Sequence, residues 1–152
     1  MLRGTLIVLV ATNLFAADHG LELRGQISGL DSGRWFQVTS WSPDGRSIVG
    51  EGDVLASGSG GGVVTYSFDT HRYERLKDRG TKPLWLRDGR QLLFQPDVEH
   101  IALLDAGTKQ ARTVYTAPRG SQIADFTISK DNGWICVIGS NDEGDVWLAK
   151  LE

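Results

Sequence analysis

Apolar and polar positions alternate along this chain in short runs, not at helical spacing. Three stretches share one plan: an apolar segment, a tight turn containing aspartate, and a second apolar segment. The first is Thr39-Ser40-Trp41-Ser42-Pro43-Asp44-Gly45-Arg46-Ser47-Ile48-Val49-Gly50. The second is Pro83-Leu84-Trp85-Leu86-Arg87-Asp88-Gly89-Arg90-Gln91-Leu92-Leu93-Phe94. The third is Phe126-Thr127-Ile128-Ser129-Lys130-Asp131-Asn132-Gly133-Trp134-Ile135-Cys136-Val137. No window sustains a 3.6-residue period over the length a globular helix needs, whereas short apolar runs bounded by turn residues read as strands. Asp44, Asp88 and Asp131 lie 44 and 43 residues apart, so the hairpin belongs to an internal repeat.

The turn has a physical reason. Pro43 pre-sets φ, Asp44 bonds the local backbone, and Gly45 accepts the positive φ needed to re-enter a sheet. That combination between apolar runs predicts a β-hairpin with a short loop. Asp88-Gly89 repeats it, and Asn132-Gly133 after Asp131 meets the same backbone demand.

Each hairpin is followed by further strand-like stretches. Residues 63–69 and 73–76 flank a turn at Thr70-His71, and residues 101–105 and 111–115 flank residues 106–109. After the third hairpin come residues 145–151 alone, from Asp145 through Val146, Trp147 and Leu148. Alternation is clear from Tyr73 to Leu76 and weak from Ile101 to Leu104, and polarity is expected to rise from inner to outer strands.

Four strands in about 40 to 45 residues is the signature of a β-propeller blade. The expected fold is all-β: blades of four antiparallel strands, about three and a half of them, as an incomplete propeller or open arc. The expected divisions are a partial blade over 1–30, a blade over 31–82, a blade over 83–125, and a three-stranded last blade over 126–152. Closed propellers take about four to eight blades, so the arc has uncovered edges, and such edges invite self-association. Two readings of the N-terminus stand side by side. Residues 1–17 form a strand or a weak signal peptide, and their apolar run is too short to span a bilayer.

Composition narrows the function. The 152 residues carry 16 Lys and Arg against 19 Asp and Glu, a net charge of −3. Such weak acidity argues against nucleic acid or an anionic membrane surface as partner. One cysteine excludes an internal disulfide and any multi-cysteine metal site.

The Trp41-Ser42-Pro43-Asp44-Gly45-Arg46 run resembles the TolB-like, WD40-like repeat of bacterial β-propellers. The second copy keeps Trp85, Asp88 and Gly89 but loses the Ser-Pro; the third loses the Trp and Pro. The stretch after Asp78 also resembles the end of propellers in the C-terminal sensor regions of some bacterial Ser/Thr protein kinases. There a Pro-x-Trp-x-x-Asp-Gly-Arg hairpin, here Pro83 to Arg90, leads to an Asp-x-Trp-Leu strand, here Asp145-Val146-Trp147-Leu148. The resemblance covers residues 13–152. It implies a rigid interaction platform, in an extracytoplasmic or periplasmic setting or in the cytoplasm.

No residue set points to catalysis. Gly58-Ser59-Gly60-Gly61-Gly62 lacks the Lys-Ser/Thr ending of a phosphate loop and reads as a flexible insertion. Residues 141–145 lack the spacing of a Ca²⁺ loop and read as a solvated turn. His19, His71 and His100 lie at turns or strand starts without zinc spacing. No Gly-x-Ser-x-Gly elbow is present, and Cys136 in its apolar strand reads as an inert core thiol. Residues 71–79 are the most basic run and read as an outer strand whose charges discourage edge pairing. Trp35, Trp41, Trp85, Trp134 and Trp147 recur at blade-like positions and are expected to pack between blades. The expected function is a non-catalytic interaction or sensor module without cofactor. It would form the C-terminal part of a larger protein and bind a protein or small ligand. The alternative is an accessory propeller of a kinase or serine peptidase whose catalytic domain lies outside this chain.

Overall fold

The computed structural model describes residues 34–53, 61–140 and 145–151. The reading of residues 1–30, with His19, and most of the glycine insertion and the 141–144 turn lie outside them. Among the described residues, three antiparallel sheets of four, four and three strands form the fold. The first holds β1 (Phe36–Trp41), β2 (Ser47–Gly52), β3 (Gly62–Ser67) and β4 (Arg72–Lys77) in sequence order. The second holds β5 (Thr81–Trp85), β6 (Gln91–Asp97), β7 (His100–Asp105) and β8 (Ala111–Thr116). The third holds β9 (Gln122–Ile128), β10 (Trp134–Ser140) and β11 (Val146–Lys150), with β10 in the middle. No helix among the described residues is long and apolar enough to cross a membrane.

The three hairpin turns meet one set of backbone demands with different side chains. Gly45, Gly89 and Asn132 take φ of 71°, 64° and 61°, the left-handed conformation that asparagine and glycine tolerate best. Asp44 accepts from the Ser42 hydroxyl at 2.6 Å and the Arg46 N–H at 3.0 Å. Asp131 repeats this with Ser129 at 2.6 Å and the Gly133 N–H at 3.0 Å. In those two turns the serine hydroxyl also accepts the first amide of the returning strand, Ser47 or Trp134, at 2.9 Å. The second turn has Leu86 where the others have serine, and Asp88 takes over that amide, accepting from Gln91 N–H at 2.9 Å. Leu86 is released to the core, where it is buried beside Phe126.

Strand burial reports how many faces of each sheet are covered. In β6 and β7 four consecutive residues are buried, because alternate side chains enter two different cores. Leu92, Phe94, Ala102 and Leu104 pack on Val49, Val63 and Leu76 of the first sheet. Leu93, Ile101 and Leu103 pack on Ile123, Phe126, Ile135 and Val137 of the third. This accounts for the weak alternation from Ile101 to Leu104. In β10 burial alternates, with Ile135, Val137 and Gly139 covered and their neighbours open. The expected rise of polarity from inner to outer strand is not what forms. The two middle strands of each four-stranded sheet are the most buried; β1 is as open as β4, and only in the second sheet is the last strand, β8, more open than the first, β5.

Gly62 is no part of a linker: it opens β3 opposite Gly52, and a Cβ there would lie 2.2 Å from the Lys77 carbonyl oxygen.

Two outcomes follow from the turns and the double-sided core. Leu93→Ala should cost about 2–5 kcal/mol in urea unfolding, while Leu148→Ala on the open face of β11 should stay within about 0.5 kcal/mol. Asp44 has its pKa held below 3.8, first by the Ser42 hydroxyl and then by the Arg46 amide. A depressed folded-state pKa stabilises above the unfolded value and loses that stabilisation as pH falls through the folded one. The urea midpoint of the wild type should therefore exceed that of Asp44→Asn by a constant margin down to about pH 3.8, then converge with it on further acidification. A pH-independent margin would show that the carboxylate charge plays no part.

Candidate interaction surfaces

The residues that the repeat singles out are brought to one set of turns and serve the backbone. Ser42, Pro43, Asp44 and Gly45 form the first turn, Asp88 and Gly89 the second, and Asp131, Asn132 and Gly133 the third. Asn132 also reaches beyond its own turn, where its Oδ1 accepts the Arg87 N–H at 2.6 Å and ties the third turn to the second.

Inter-sheet hydrogen bonds join partners about one repeat apart. Thr39 donates its hydroxyl to the Pro83 carbonyl, 44 residues away, and Ser40 accepts the Trp85 N–H at 3.2 Å, 45 residues away. Seven residues after each turn aspartate stand Glu51, Gln95 and Ile138. Glu51 accepts the Lys82 N–H of the second sheet at 2.9 Å. Gln95, buried, donates to the Ile123 carbonyl of the third sheet at 2.9 Å. Lys82 has a φ of 52°, an uncommon conformation for lysine, and its ammonium reaches Asp125 at 2.9 Å and the Ala124 carbonyl. One residue of β5 is thereby bonded to both neighbouring sheets. The Lys82 hydrogen bond outweighs burial at Asp125 and holds its carboxyl below the usual range.

At the third sheet the pattern stops. Ile138 takes the place of the polar latch and is 43% exposed. Around it on the same face stand Trp134 at 47%, Val146 at 63% and Leu148 at 71%, with Cys136 paired opposite Leu148 and half-buried. The corresponding positions five residues after the turn aspartate, Val49 and Leu93, are fully covered by the next sheet. Cys136 is therefore not a core thiol, since Ile135 and Val137 on either side take the covered face. Sequence reasoning missed this surface because Trp134, Ile138, Val146 and Leu148 read as ordinary strand residues. Apolar residues at both alternating positions of 134–138 were the available signal.

The tryptophans divide in the same way. Trp85 packs against the core between the first two sheets, and Trp147 lies half-buried over Gly139, where a Cβ would meet its ring at 1.8 Å. Trp35, Trp41 and Trp134 do not pack between blades as expected: they are 45%, 60% and 47% exposed. Trp41 stacks on Phe68 at 5.2 Å and 17°, at the end of an aromatic row running through Tyr66 and Tyr73 to Phe36. It stays open because the core between the first two sheets lies on their other faces.

His71, in its turn with φ 54°, lies 3.2 Å from the Tyr66 hydroxyl, and His100 lies 2.8 Å from Asp97. Among the described residues no three His, Cys, Asp or Glu side chains converge as metal ligands would. The basic run forms the edge strand β4, where Arg75 is buried and paired with Asp53 at 3.2 Å.

No protein-family model and no curated protein matches the sequence. Solved structures do match the fold. TolB from Acinetobacter baumannii is similar over 80% of this chain and 31% of its own, with a TM-score of 0.62 and 15% identity. An oligogalacturonate lyase in complex with manganese is similar over 69% of this chain and 28% of its own, with a TM-score of 0.60 and 17% identity. The oligogalacturonate lyase of Vibrio parahaemolyticus is similar over 66% and 27%, with a TM-score of 0.59 and 14% identity. The chain thus spans less than a third of the length of each of these proteins, and at these identities the likeness is one of fold: a partial, TolB-like β-propeller.

Proposed function

We propose that this chain is a non-catalytic interaction module, a stretch of a larger TolB-like propeller that carries a binding surface at the end of its stack. The observation behind this reading is the uncovered face of the third sheet. A soluble monomer rarely leaves a contiguous apolar patch of this kind open, and at equivalent positions the first two sheets are covered by the sheet that follows. What suits the face is another blade-like sheet, and for the isolated chain a second copy presenting the same apolar residues. Ile138, in place of the polar latch, favours such a self-complementary contact, because each copy then meets apolar side chains with apolar side chains. An extracytoplasmic setting and a protein or small-ligand partner are part of this proposal, alongside the TolB-like fold.

A second reading makes the chain the accessory propeller of an enzyme, such as a kinase or serine peptidase, whose catalytic groups lie elsewhere. The hairpin at Pro83 to Arg90 followed by Asp145-Val146-Trp147-Leu148 favours it.

Sedimentation across the micromolar range tests the first reading. The wild-type chain should show a mass that grows with concentration. The Val146→Asp/Leu148→Asp double variant should sediment as a monomer, with the melting curve that the wild type shows at concentrations below its association range. A wild type that stays monomeric throughout, or a double variant that associates equally, would count against the face as the interaction surface.

A further inference from the structure

The first sheet is buried on a face that no other described strand covers. Its strands pair so that Trp41, Ile48 and Tyr66 stand side by side, as do Gly50 and Val64, all on that face. Val49, Val63 and Leu76 point the other way, into the core shared with the second sheet. Ile48, Val64 and Tyr66 belong to neither core among the described residues, yet they are 2%, 0% and 3% exposed.

Side chains that stand up from one sheet do not shield one another's tips. The open face of the third sheet shows this, since its apolar residues stay exposed side by side. The aromatic row does not supply the cover, because Tyr66 is itself one of its rings. With three consecutive buried residues each, β2 and β3 instead carry the signature of β6 and β7, strands covered on both sides.

The repeat shows what belongs there. Leu92 and Ile135 stand four residues after Asp88 and Asp131, and each packs on the sheet before its own. Ile48 stands four residues after Asp44, so its cover is a layer that precedes β1 in the chain. Residues 5–23 have what such a layer needs. Leu6 to Val10 form an unbroken apolar run, and Leu14, Phe15, Leu21 and Leu23 follow. Asp18 lies 87 residues before Asp105, the same interval that separates Asp44 from Asp131. That spacing sets Leu14 in the place of Ile101, which packs on the following sheet. It sets Phe15 in the place of Ala102, which packs on the preceding one. The two internal segments outside the described residues are less suited. Residues 54–60 carry only Val54 and Leu55 as large apolar side chains, and residues 141–144 join β10 to β11 in the third sheet.

We infer that residues 5–23 dock on the outer face of the first sheet as a further layer, with Leu14 facing Ile48 and Val64. Trp41, at the turn end of that face and 60% exposed, lies beyond the cover.

Methyl NMR of the full chain tests this, in a sample mixed from two differently labelled pools. The Ile48 and Val64 methyls should give NOEs to Leu14 and to methyls of residues 6–10, arising within one molecule. Leu14→Asp should speed amide exchange at residues 48, 64 and 66 by more than about tenfold, leaving Ile135 and Val137 as in the wild type. Phe15→Asp, one residue on and on the opposite face, should leave all these amides unchanged. Where the Leu14 charge prevents folding, Leu14→Ala should give the same pattern at smaller amplitude. NOEs found only between molecules would make the occupant a second copy and overturn the inference. So would Ile48 and Val64 methyls without contacts to residues 5–23, or equal exchange effects from Leu14→Asp and Phe15→Asp.

Discussion

A β-sheet has two faces to keep from water, and its own hydrogen bonds cover neither. In this protein the second sheet is covered on both sides, by the first through Val49, Val63 and Leu76 and by the third through Phe126, Ile135 and Val137. Everything else is arranged around that stacking. The turns hold the strands so that alternate side chains enter different cores, and Glu51 and Gln95 set each sheet against the next. Lys82 accepts an unfavourable backbone angle at the point where it bonds to both neighbours. The strain is tolerated there because three partners hold the residue in place.

Much of this was legible in the sequence, and the reason is periodicity. Turn chemistry at Asp44, Asp88 and Asp131 depends on neighbours one to five residues away, so local composition reveals it. The strands after each hairpin follow from alternation for the same reason. What escaped depends on which face of a sheet finds a neighbour. Cys136 and Val137 look alike in a linear string, yet one faces outward and the other sits in the core. Trp41 has the position of a core tryptophan but stands where the first sheet has no partner among the described residues. Likewise the burial gradient across a sheet peaks in its middle strands, because the strands on either side shield them.

The open face of the third sheet was invisible for a related cause. The open face draws Trp134 and Ile138 from β10 and Val146 and Leu148 from β11, each unremarkable alone. Gly80 was equally silent in the sequence, since its importance lies in what it touches, the Phe94 ring.

The spacing of the inter-sheet bonds has a consequence for how such chains change over generations. Thr39 to Pro83, Ser40 to Trp85 and Arg87 to Asn132 each join partners 44 or 45 residues apart, one full repeat. Each bond joins a position on one sheet to its near-counterpart on the next, so the number of residues between them fixes how the two sheets meet. An insertion of one or two residues within a strand breaks several at once. The residue count between one hairpin and the next is therefore held narrow even where the side chains of the turns change.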